Sequence, residues 1–268
     1  MRASNLFWGG ILLLFGGLFL LNSLDVVRID VWGLIWPLFL ILLGAAILWG
    51  TTGGRRPVEV EEYSLPLEGV NKAKVQFNHG AGRLEVRGGA NQNDLLSGRF
   101  GGGIDHSMTR SGDYMKVVLR VKSNLIPWFF TPWNVFSRGA LDWDLRVNDE
   151  IPMELHFKTG ANDANIDLTD AIIPDLKLET GASSTKVAFP KQSGFTKARI
   201  NAGAASLRLL VPEDVAARIL VSGGLMNISV NQQRFPRVGG EYKSPDFESA
   251  TNRLELKIDA GVGSVSVE

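Results

Sequence analysis

The chain has 268 residues, with 28 Lys and Arg balanced by 28 Asp and Glu and no cysteine. Zero net charge lacks the basic excess used to bind nucleic-acid phosphates, and the lack of cysteine excludes a disulfide framework, a thiolate metal site and a cysteine nucleophile. The length suffices for one sizeable core or two modest ones.

Apolar residues crowd the start of the chain. Residues 5–24 (NLFWGGILLLFGGLFLLNSL) and 31–50 (VWGLIWPLFLILLGAAILWG) carry no charge. About 20 apolar residues in a helix cross the ~30 Å hydrocarbon layer, so each segment is long enough to span. Asp25, Arg28 and Asp30 between them would be costly in lipid and belong to a short wet turn. The pattern predicts a transmembrane helical hairpin over 1–52, with helices at about 5–24 and 31–50. A secretory signal peptide is the rival reading. Its basic region would hold only Arg2, no small-residue cleavage site follows, and a second equally long segment comes at once. Trp8 and Trp49 fall near one membrane face and Trp32 near the other, where indoles favour the interface. Arg2, Arg55 and Arg56 flank the hairpin. The positive-inside rule then makes this a two-pass plasma-membrane protein with both ends, and the C-terminal domain, in the cytoplasm.

After a juxtamembrane linker at 53–57, residues 58–268 read as a β-repeat domain. Six fragments share one pattern: AKVQFNHGAGRLEV, MELHFKTGANDANIDL, LKLETGASSTKVAF, KARINAGAASLRLLV, ARILVSGGLMNISV and LELKIDAGVGSVSV. They align on Gly80, Gly160, Gly181, Gly203, Gly224 and Gly261. Three positions before each glycine stand Phe77, Phe157, Leu178, Ile200, Val221 and Ile258, and six after it Val86, Ile166, Val187, Leu209, Val230 and Val267. An apolar residue at every second position marks a half-buried strand. The glycines between Gly160 and Gly224 are 21, 22 and 21 residues apart, the length of two short strands plus turns. The fold predicted is a membrane-anchored all-β protein whose stacked strands form a β-solenoid or β-helix-like domain. The six glycines are read as structural turn residues, which recur between strands and lead into no helix, and not as a phosphate cradle. MKVVLRVK (115–122) and DWDLRV (142–147) read as further strands, and PEDVAARIL (212–220) as a weak helix candidate.

Residues 125–136, LIPWFFTPWNVF, carry Trp128, Phe129, Phe130, Trp133 and Phe136 between prolines that break a strand ladder. Five large aromatics on a loop have two readings: a contact with the bilayer interface or a membrane partner, or a cap over one end of the stacked strands.

Other chemistry is sparse. His79, His106 and His156 have no ligand spacing, and His79 and His156 are expected to point outward. SGRFGGGIDHS (97–107) lacks the Lys-Ser/Thr pair of a nucleotide loop. Asp142 and Asp144 share a strand face but fit a solvated edge. The residues point to no enzyme, no catalytic, cofactor or metal site, no nucleic acid and no small-molecule substrate.

Two resemblances follow from these residues. The segment Trp-Gly-Leu-Ile-Trp-Pro-Leu-Phe-Leu-Ile-Leu-Leu-Gly, 32–44, in its double apolar setting, resembles the LiaI–LiaF-like transmembrane region of bacterial envelope-stress proteins, over about residues 4–52. The glycine-centred repeats resemble the toastrack domain, also known as an adhesin-type domain, over about residues 58–268. The resemblance implies a membrane-tethered β-helix-like domain that senses or regulates cell-envelope stress, with membrane lipids and other membrane or signalling proteins as partners. An outward-facing structural or adhesin-like surface domain is the alternative.

Overall fold

The structure is a computed structural model that describes residues 60–122 and 141–268, together with Pro37, Leu40 and Ile41, which are helical. Apart from those three residues, the predicted hairpin lies outside the described residues, and so does the aromatic cluster Trp128, Phe129, Phe130, Trp133 and Phe136. The chain divides into two units, and every strand below belongs to the second. Among the described residues, no helix is long and apolar enough to cross a membrane.

The described part of the second unit is one large mixed sheet. The six glycine-centred repeats are its long strands: β2 (Lys72–Gly88), β7 (Met153–Asp167), β8 (Asp175–Ala188), β9 (Phe195–Leu210), β10 (Ala216–Val230) and β13 (Arg253–Val267). They lie side by side in the order β2-β7-β8-β9-β13-β10, all parallel. The register follows the glycine alignment: Phe77 pairs Phe157, Phe157 pairs Leu178, Leu178 pairs Ile200, and Ile200 pairs Ile258.

Alternation explains why the strands stack in this register. The residues three before and six after the glycine are buried on β2, β7, β8, β9 and β13, and form two continuous apolar columns. A one-residue slip would turn every one of them to solvent. Phe77 and Phe157 stack with ring centroids 4.7 Å apart and planes 8° from parallel. Each such side chain contributes about 1.5–3 kcal/mol by leaving water.

Two sequence expectations change. Each repeat is one continuous ladder element, its two arms joined through the glycine, where two separately bounded strands were expected, because the pairing resumes in register beyond the glycine. PEDVAARIL forms no helix: Val215 N–H donates to Pro212 C=O in a turn, and β10 starts at Ala216. The strand order also departs from sequence order, with β13 between β9 and β10.

The remaining strands dress the two ends. Beside β2, on the side away from β7, lie two separate strands. β5 (Tyr114–Val121) pairs with its first half, and β6 (Trp143–Val147) with its second. One rung is thus supplied by two pieces of chain. β3 (Asp94–Gly101) pairs antiparallel with β6, and β1 (Val60–Pro66) with β3. β4 (Ile104–Ser111) pairs with β5. At the other end, β12 (Glu241–Lys243) meets β10 at Arg218 and Ile219, and β11 (Arg237–Val238) pairs with β12.

Candidate functional site: the groove along the glycines

The six aligned glycines form a column across the sheet. A β-carbon placed on Gly160 would strike the Gly80 carbonyl oxygen; one on Gly181 would lie 2.9 Å from that of Gly160, and one on Gly203 2.8 Å from that of Gly181. The contacts continue from Gly261 to Gly203 and from Gly224 to Gly261, each at 2.7 Å. Real β-carbons do not approach an oxygen so closely, so glycine is required by the neighbouring rung. None of the six has a positive φ. A left-handed turn, the usual reason for glycine, is therefore not the reason here.

A shallow groove of about 710 Å³ follows this column. Its outer wall is a ladder two residues before each glycine: Asn78, Lys158, Glu179, Asn201 and Asp259. Glu179 sits among cations, bonded to Lys177 and 3.6 Å from Lys158 Nζ. The Lys177 ammonium, with Lys158 and His156 adding to it, holds the Glu179 carboxyl below its usual range. His156 Nε2 lies 3.5 Å from Glu179 Oε1, a separation that leaves it without a hydrogen bond. Burial pushes the His156 pKa down, against the pull of Glu179.

The inner wall contains His79, which is 1% exposed. The outward orientation expected for it is wrong, because it has the same alternation as the core residues Val75 and Phe77. Its Nε2 lies 2.7 Å from the Leu141 carbonyl oxygen, to which it donates, and its ring packs 5.1 Å from Trp143. Burial lowers its pKa, against the opposing pull of the Leu141 carbonyl and Asp142. Its Nδ1 has no partner among the described residues. Leu141 also crowds Gly82, whose φ is 108° and whose absent β-carbon would lie 2.9 Å from the Leu141 oxygen. Leu141 is thereby held against His79 and Gly82 beside the groove.

The other sequence candidates have structural partners. Asp142 Oδ1 accepts the Arg83 N–H at 2.8 Å, and Asp144 pairs with Arg99 at 3.2 Å. The His106 ring lies against Tyr63, with its Nε2 3.0 Å from the phenol oxygen. Gly102 and Gly103 make the turn between β3 and β4 with φ values of 80° and 76°. Among the described residues, no three His, Asp or Glu converge as metal ligands. The groove offers amides, hydroxyls and paired charges to hydrogen-bond a partner. Sequence reasoning missed it because the groove arises between rungs, although the spacing of Asn78, Lys158, Glu179 and Asn201 before their glycines could have indicated it.

Residues 54–210, more than half of the chain, match the N-terminal domain of toast_rack, DUF2154. The chain belongs to the toast_rack family. Residues 6–48 match the LiaI-LiaF-like transmembrane region, so both resemblances seen in the sequence hold. The toast_rack fold is shared with a crystal structure from Clostridium sporogenes described as a "putative cell adhesion protein", at a TM-score of 0.67 and 20% identity. The likeness covers 78% of this chain and 98% of that one, and at this identity it bears on fold alone. No curated protein matches the chain.

Proposed function

We propose that this toast_rack protein is a non-enzymatic, membrane-anchored component of the bacterial envelope that senses or regulates envelope stress through protein or lipid contacts. The observation that carries the reading is the union, in one chain, of a LiaI-LiaF-like transmembrane region at 6–48 and a toast_rack domain from 54 onward. In this reading residues 1–52 form a two-helix hairpin, 53–57 a linker, and 58–268 a cytoplasmic domain. The domain is a β-solenoid. Its support is a length argument: β7, β8 and β9 hold 15, 14 and 16 residues, yet no more than seven residues join each to its successor. A straight strand of 15 residues runs about 50 Å, whereas seven residues reach at most about 25 Å. Parallel strands so connected have to double back at the glycine.

Crosslinking and pull-down from native membranes test the function: recovery of a histidine kinase or a stress regulator supports it, and recovery of neither counts against it. The aromatic loop residues Trp128, Phe129, Phe130, Trp133 and Phe136 are proposed to touch lipid or a membrane partner. Replacing Trp128, Phe129 and Trp133 with serine should weaken liposome binding at unchanged stability, and collapse of the fold would instead make them a cap. A second reading, an outward-facing structural or adhesin-like domain, draws on the description of the Clostridium sporogenes structure. A reporter fused after Glu268 that is active only outside the cytoplasm would favour it.

A further inference from the structure

The last rung of the sheet is finished on one side of its glycine and unfinished on the other. On the first arm of β10, Arg218 and Ile219 pair with β12, Ala217 exchanges hydrogen bonds with Ser244, and the Arg218 guanidinium lies 4.8 Å over the Phe247 ring. Beyond Ile219, no strand among the described residues pairs with the outer edge of β10. The inward column four residues after the glycine shows the consequence. Leu84, Ala164, Thr185, Leu207 and Val265 are at most 2% exposed, but Ile228 is 40% exposed. On the outward face, where the interior rungs expose Ala161, Ala182 and Ala204 one residue after the glycine, the last two rungs carry the larger Leu225, 82% exposed, and Val262, 54% exposed. The core is left open at this arm.

An open edge is normally blunted by charge or proline. The opposite end of the sheet follows that rule, since β1 carries Glu61, Glu62 and Pro66. The β10 edge breaks it: the 15 residues from Ile219 to Gln233, ILVSGGLMNISVNQQ, hold no charge.

We propose that the arm Gly224–Val230 pairs antiparallel with the same arm of a second copy of this chain, across a two-fold axis at Asn227. Two observations select this occupant, the uncharged β10 edge and the acidic, proline-ended β1. A two-fold axis normal to the sheet sets one residue against itself and its neighbours against their own sequence. Such an edge has to be free of charge, because like charges directly opposite repel, and this one is. A neutral edge offers nothing to an ionic partner. Stacking of β10 on the far end of another copy would form an open filament, and the acidic, proline-ended β1 opposes it. Two-fold pairing closes after two copies and covers Leu225 and Ile228 on both. Anchorage in one bilayer would raise the effective concentration of the pair.

The cysteine-free chain permits a direct test on the full-length protein in native membranes. Single cysteines at Met226, Asn227, Ile228 and Ser229 are oxidised, with Glu62→Cys as the control on the opposite edge. A disulfide needs α-carbons about 4.4–6.8 Å apart, so a dimer band should peak at Asn227→Cys and be absent from the control. Equal bands at both edges, no band at any of the four positions, or an adduct of another mass overturns the proposal, the last in favour of a foreign partner. Asn227→Lys should weaken dimerisation of the full chain in detergent by about fivefold, with the circular-dichroism spectrum unchanged. Mixing with Asn227→Glu copies should restore it. Dimerisation indifferent to both substitutions overturns the two-fold geometry.

Discussion

The interior rungs β7, β8, β9 and β13 and the terminal rung β10 share one sequence pattern but have different surroundings. At three residues before the glycine, Phe157, Leu178, Ile200 and Ile258 are buried, while Val221 on β10 is only half-buried. Six residues after it, Ile166, Val187, Leu209 and Val267 are buried and Val230 is not. The repeat supplies each rung with a potential core face, and a neighbour on both sides makes it core. Burial in this domain is thus a property of stacking.

The largest effect should come from the same column at its two extremes. Phe157→Ala removes a stacked, fully buried ring and should cost about 3–5 kcal/mol. Val221→Ala, in the equivalent place on β10, should cost about 1 kcal/mol or less. Chemical denaturation of both variants measures the contrast, and equal losses would mean that the terminal rung is as well packed as the interior. The glycine column gives a sharper version. Gly160→Ala drives a methyl group into the Gly80 carbonyl and should destabilise by about 1–3 kcal/mol. Gly80→Ala meets nothing within 4 Å and should stay within about 0.5 kcal/mol. The column has a direction, since each glycine makes room for the oxygen of the rung before it and Gly80 has no glycine before it.

His79 adds a pH dependence specific to the first rung. Burial lowers its pKa in the folded protein below the unfolded value of about 6.5. The unfolded chain therefore binds the proton first, and stability falls as pH drops from about 6.5 toward the folded pKa. Melting curves over this range should show a steeper acid loss for the native chain than for His79→Gln. The smallest effect should be at the surface: Lys74 and Glu154 pair across β2 and β7 at 2.8 Å, with side chains 36% and 40% exposed. Breaking this pair with Lys74→Ala should cost at most about 1 kcal/mol, and less in high salt.

Much of the rack was legible because its rungs repeat. The glycine alignment set the parallel register from Phe77 through Ile258, and two-residue alternation marked the buried columns. Alternation also held the correct orientation of His79, two residues after Phe77. The strand order was not legible. The 37-position step from Gly224 to Gly261 announces an insertion but does not say on which side of β10 the chain returns. The split rung made of β5 and β6 was hidden for a similar reason, since each piece lacks the glycine that marks the others. The groove was the least visible, because its walls are set by contacts among five strands.

The place of β13 bears on how the protein is made. β10 leaves the ribosome before β13, yet in the finished sheet β13 separates it from β9. Until β13 is synthesised, β9 and β10 are consecutive, glycine-matched strands 21 residues apart, and nothing in their patterns prevents them from pairing directly. That pairing would be a trap of the kind that delays larger folds, and β13 would have to displace it. Refolding should therefore show a slow phase that shortens when the β9–β10 match is weakened, making the order of synthesis part of what the sequence has to manage.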